Sequence, residues 1–258
     1  MSRARAQSTV IGVTLLIAMT VTSLGLITAG TGVVVQEHAG TIGVEAATDD
    51  LTAAIDGTGR DGRTTASVRL SGGRLDTIER TVRVHDGDEW RSLEADGIRY
   101  VGSGGDQRVV SVAGLVIREY GDGAIAVRDP ALLIGEDALV ITIPVIQGGG
   151  AVGAGGSGES GGVARLRLAV DHDERDLGTG PFRIAIETAN PTAVERAVRR
   201  TGDRAATTEP ESEPILSIDR RQFAGDNRES VVVTVGGDRE GHLLVRTVDL
   251  ELEVAYGT

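Results

Sequence analysis

From Val10 to Val35 the chain runs through 26 residues without a charged side chain, VIGVTLLIAMTVTSLGLITAGTGVVV. Nothing else in the sequence limits the possible structures as strongly. As a helix rising 1.5 Å per residue it would be about 39 Å long, more than the roughly 30 Å hydrocarbon core of a bilayer. It is also far longer than the apolar region of a cleaved secretory signal. Arg3 and Arg5 precede it, whereas Glu37, Glu45, Asp49 and Asp50 follow it. The positive-inside rule therefore predicts a single-pass membrane protein, its N-terminus cytoplasmic and everything after about Gln36 extracellular.

The residues at the start of this run, Arg5-Ala6-Gln7-Ser8-Thr9-Val10-Ile11-Gly12, are similar to the class III signal of archaeal type IV pilins and archaellins, in a form resembling haloarchaeal pilin-like proteins. The resemblance implies that a prepilin peptidase cuts between Ala6 and Gln7. Residues 1–6 are then the signal, and 7–35 are a retained transmembrane, pilin-type helix that packs against pilin-like subunits. Thr9 stands where the haloarchaeal pattern more often has Pro, and Ile11 where bacterial pilins carry Glu, so charge-set subunit register does not carry over. Gly12, Gly25 and Ala29 are small residues of the kind that let helices approach closely. The resemblance implies a minor filament subunit or filament-associated protein acting in adhesion or cell-surface contact, and not an enzyme. The alternative is a single-pass extracellular binding protein that does not assemble.

The formal net charge is −12, from 38 acidic residues against 26 basic ones, and every basic residue is Arg. An acidic surface with arginine as its only cation suits a halophile, because salt near 1 M shortens the Debye length to about 3 Å and screens the repulsion among carboxylates. The acidity, with only six aromatic residues (one Trp, three Tyr, two Phe), removes nucleic acid as a partner. The absence of cysteine excludes disulfides, thiolate nucleophiles and sulfur-ligated metals.

Residues 36–60 read as an outward extension of the helix or a linker, with Ile42, Ala46, Leu51 and Ile55 near helical spacing. Beyond them, alternation and turn residues predict strands over 65–70, 75–84, 98–101, 109–118, 124–127 and 139–145, then 163–170, 182–187, 215–223, 231–235 and 243–254. One helix is expected from Asn190-Pro191 to about Arg200. Residues 147–162 read as a Gly-rich linker between two parts of a β-rich head, 61–146 and 163–258. The predicted class is α+β, a long N-terminal membrane helix followed by a mainly antiparallel β extracellular head.

No motif for hydrolysis, phosphate binding or metal ligation stands out, and no cofactor or metal is expected. His38, His85, His172 and His242 are scattered singly. Asp171-His172-Asp173-Glu174 lacks calcium-loop spacing and reads as a solvated acidic turn, as do Asp86, Asp88 and Glu89. Gly102-x-Gly104-Gly105 leads into a strand, without the helix that a phosphate cradle needs. Trp90 and the tyrosines read as packing anchors. Asn190 and Asn227 lie in no glycosylation sequon, which favours a minor filament subunit or a non-filament surface protein over a major filament subunit.

Overall fold

The computed structural model describes residues 41–85, 87, 89–135, 137–153, 162–206, 216–236 and 239–255. Sixteen strands, β1–β16, and two helices form among them, so the fold is mainly β rather than α+β. A central sheet has the order β1 (Gly62–Arg69), β12 (Val163–Thr179), β16 (Glu240–Ala255), β10 (Ala138–Gly148), β9 (Leu132–Ile134). A second sheet runs β11 (Ala151–Gly153), β2 (Arg74–Ile78), β5 (Gly97–Val101), β6 (Gln107–Val112), β7 (Leu115–Tyr120), β8 (Gly123–Arg128). The third is β14 (Leu216–Arg221), β15 (Ser230–Val235), β13 (Phe182–Glu187), β3 (Thr81–His85), β4 (Trp90–Glu94). Helix α1 covers residues 41–57 and α2 covers Pro191–Ala206.

The central sheet serves two cores, one on each face. Successive side chains of a strand point to opposite faces. In β16, Leu243 and Val245 join one core while Val248 and Leu250 join the other. In β10, Leu139, Ile141, Ile143 and Val145 face the first core and Ile146 the second. The first core is closed by the third sheet and by α2, whose Val194, Ala197 and Val198 are buried in it. The second is closed by α1 and the second sheet. Strands from both sides of the Gly-rich segment share the central and third sheets, where β1 pairs with β12 and β3 with β13. The β10–β16 pair is parallel, an exception to the antiparallel pattern expected.

Three readings are corrected by this arrangement. Among the described residues no helix is long and apolar enough to cross a membrane, so the single-pass membrane placement, with cytoplasmic N-terminus and extracellular head, is not supported. The helix observed before the sheets is instead a core helix: Glu45, Asp49, Ala53 and Asp56 face outward while Val44, Ala47, Leu51 and Ala54 are buried. The expected span Val10–Val35 lies outside the described residues. Next, the runs 75–84 and 109–118 are each two strands. Glu79-Arg80 separates β2 from β3 and sends them to different sheets, and Ala113-Gly114, both at positive φ (50° and 79°), makes a tight turn between β6 and β7. Finally, Asp171-His172-Asp173-Glu174 is no turn but the middle of β12, paired with Thr247 to Leu244 of β16. Backbone pairing with β16 outweighs the polarity of those side chains.

Candidate functional site

Helix α1 joins the head through its buried stripe. Val44, Ala47 and Leu51 are fully buried, and the Thr48 hydroxyl donates to the Val44 carbonyl at 2.7 Å, so a polar residue enters the stripe without an unpaired group. The stripe is rotated from the sequence reading, for Ile42 is 67% exposed. Gly43 explains the rotation: a Cβ there would lie 2.8 Å from Ser71 Cβ and 3.3 Å from the Tyr100 hydroxyl, so only glycine lets the helix sit this close to the second sheet. Tyr100 is itself fully buried, donates to the Leu70 carbonyl at 2.6 Å, and has its phenol pushed above the usual range by burial.

At the N-terminal end of α1 two turns of the second sheet open a cleft with about 580 Å³ of space. One turn, Ser71-Gly72-Gly73, links β1 to β2, and the other, Gly102 to Asp106, links β5 to β6. Between them stand Arg74, Arg99 and Arg108. Arg99 makes a fork to Asp76 at 2.9 and 2.6 Å, and this hydrogen-bonded pairing raises its pKa. Arg74 reaches the same carboxylate only at 4.0 Å, and Arg108 donates to the Gly105 carbonyl at 3.4 Å. Three guanidiniums thus line the cleft, with Asp76 bound to Arg99 but outside the lining, a local cluster of cations on a strongly acidic protein.

The opposite end of α1 is polar in another way. Asp56 accepts from Arg128 at 2.9 Å, His172 contacts Asp61, and Arg246 lies near Gly59. Burial lowers the pKa of Arg246, with a further contribution from the Arg128 charge, and its Nε and His172 Nε2 are buried without a hydrogen-bond partner. Beyond this point β12 continues as Asp171–Thr179, with β16 on one side and β1 ended at Gly62 on the other.

Of the residues singled out from sequence, Arg5, Ala6, Gln7, Gly12, Gly25, Ala29 and His38 lie outside the described residues, as do Asp86 and Asp88. His85 stacks edge-on against Trp90 at 5.1 Å, and Trp90 against Phe223 at 5.2 Å. His242 lies 3.7 Å from Glu174. Among the described residues no group of three or more His, Asp or Glu side chains could hold a metal. The arginine cleft was not legible in sequence, because Arg74, Arg99 and Arg108 meet only through the order of strands in the second sheet.

A family model matches residues 5–251, nearly the whole chain. The chain belongs to DUF7289, a family of unknown function. No curated protein and no solved structure matches it.

Proposed function

We propose that this DUF7289 chain is a type IV pilin-like, non-enzymatic filament subunit of the minor kind, whose β head makes cell-surface contacts. The observation that carries the reading is that the chain enters the head as a helix buried between two sheets. Residues 36–60 could have been a linker, but α1 is a core element with Leu51 fully buried. A linker would let the head swivel; a helix locked into the head holds residues 41–57 in one orientation relative to the sheets. That is what a subunit needs if its N-terminal segment packs among neighbours while its head faces outward. The signal-like residues Arg5-Ala6-Gln7 support the same reading by implying a prepilin peptidase as the processing partner, and the uncharged run supplies the surface for pilin-like subunits.

Mass and N-terminal sequencing of protein recovered from cells and from sheared surface material test the proposal. A chain starting at Gln7 and present in the sheared fraction is the expected result. A start after about Ala29, or an unprocessed chain absent from sheared material, overturns it.

A further inference from the structure

The arginine cleft and the far half of β12 carry opposite charges. At the N-terminal end of α1 is the arginine cleft of Arg74, Arg99 and Arg108. Past the C-terminal end of α1, β12 runs on with β16 on one side and, among the described residues, no strand on the other, and there Asp171, Asp173, Glu174 and Asp176 are all exposed. Arg175 pairs with Asp173 at 2.8 Å; Asp171 and Asp173 lie on one face of the strand and Glu174, beside His242, and Asp176 on the other, so both faces along this edge carry carboxylates, four in all against one guanidinium. The separation follows from the fold. Residues 41–57 of α1 span about 24 Å. In parallel, β12 leaves the cleft end beside Leu70, which donates to the Gly162 carbonyl, and reaches Asp171 after about 26 Å of strand. One chain cannot bring its acidic strip to its own cleft.

We propose that the cleft of one copy receives the acidic β12 edge of the next, forming a heterologous, head-to-tail contact. Such a contact uses two different patches, so a pair still has one free cleft and one free strip, and repetition extends the assembly rather than closing a pair. The chemistry suits the charge pattern. Arg74 meets Asp76 only at 4.0 Å and Arg108 donates only to the Gly105 carbonyl, so neither fork is bound two-handed by a carboxylate among the described residues, and guanidinium binds carboxylate in bidentate geometry. Contacts at hydrogen-bond distance persist at salt levels that screen long-range repulsion between acidic copies. The charges on β12 also fit this role, because they keep an unpaired edge from adding strands indiscriminately while leaving it able to meet a cationic partner. The proposal rests on the filament reading only for its biological setting.

Charge exchange on the full chain tests it. One variant carries Arg74→Glu and Arg108→Glu, and the other Asp173→Arg and Asp176→Arg; self-association is followed by sedimentation at about 0.1 M and about 1 M salt. Each variant alone should associate at least about tenfold more weakly than the parent chain, and an equimolar mixture should recover association because each supplies the complement of the other. Circular dichroism melts establish that both are folded. Folded variants that associate as the parent does, or a mixture of folded variants that recovers nothing, overturn the proposal. If a variant does not fold, Arg108→Gln paired with Asp176→Asn replaces the reversals, and unchanged association of these folded forms overturns it equally. N-terminal processing is not read in this experiment, so failure of the contact and failure of the filament reading are distinguished.

Discussion

Arg83 and Asp226, 143 residues apart in sequence, form a two-bonded ion pair at 2.7 and 2.6 Å with side chains only 11% and 6% exposed. The Arg83 guanidinium also lies 4.4 Å from the centre of the Phe223 ring, which Arg221 covers from 4.6 Å. The loop after β14 is thereby fastened over the third sheet. Removing one partner leaves a charge in a dry setting, so Asp226→Ala should cost about 3–5 kcal/mol in urea unfolding. Replacing both partners, as Arg83→Met with Asp226→Leu, should cost clearly less, since no uncompensated charge remains.

Leu51 decides whether α1 belongs to the core. Fully buried in the same core as Leu166, Leu168 and Val248, it should cost about 2–5 kcal/mol when truncated to Ala. Glu45→Ala on the exposed side of the same helix should change stability by less than about 0.5 kcal/mol. Parallel denaturation curves check both, and a Leu51→Ala chain as stable as the parent would make residues 41–57 a mere linker.

Local patterns in the sequence were enough to place most strands, because alternation such as Val82-x-Val84 and Leu166-x-Leu168 reflects burial on one face. The α2 start was legible for a similar reason: Pro191 opens the first turn, and the Asn190 carbonyl accepts from Ala193 and Val194. The Asn190 side chain donates to Glu119, a partner 71 residues away that no local rule reveals. The same limit hid the tight turn at Ala113, where an alanine adopts a left-handed conformation that glycine or asparagine normally supplies. It also hid the length of β12, whose charged half is held as strand by β16. The arginine cleft needed Arg74, Arg99 and Arg108 from three strands, and only sheet order brings them together.

Asp96 gives the fold a defined pH response. Burial holds its carboxyl above the ordinary carboxylate range, and Glu79 and Glu94 raise it further, against a backbone hydrogen bond from Arg80 that lowers it. A carboxyl whose folded pKa is raised favours the native state below its unfolded pKa near 4, and that contribution is lost as pH rises through the folded value. Asp96→Asn should therefore match the parent chain near pH 3 and be the more stable of the two at neutral pH. Melts across that interval measure the difference, and a variant less stable at neutral pH than at pH 3, relative to the parent, would contradict the assignment.

The two turns around the cleft tolerate added side chains very differently. A Cβ at Gly73 would stand 2.4 Å from the Val101 carbonyl oxygen and 2.6 Å from the Tyr100 hydroxyl, neither of which can move without breaking the sheet or the bond from Tyr100 to Leu70. Gly73→Ala should cost about 1–3 kcal/mol through overpacking. At Gly104 an added Cβ meets nothing within 4 Å, so Gly104→Ala should leave stability within about 0.5 kcal/mol of the parent. Both glycines line the cleft, and only the second can be changed without disturbing the fold beneath it. Gly104→Arg extends the argument: with open space around it, the longer side chain should leave the melting temperature unchanged while adding a fourth guanidinium to the cleft. Association of the full chain should then strengthen at low salt, and a melting temperature that falls as it does for Gly73→Ala would show that the Gly102–Asp106 turn is packed rather than open.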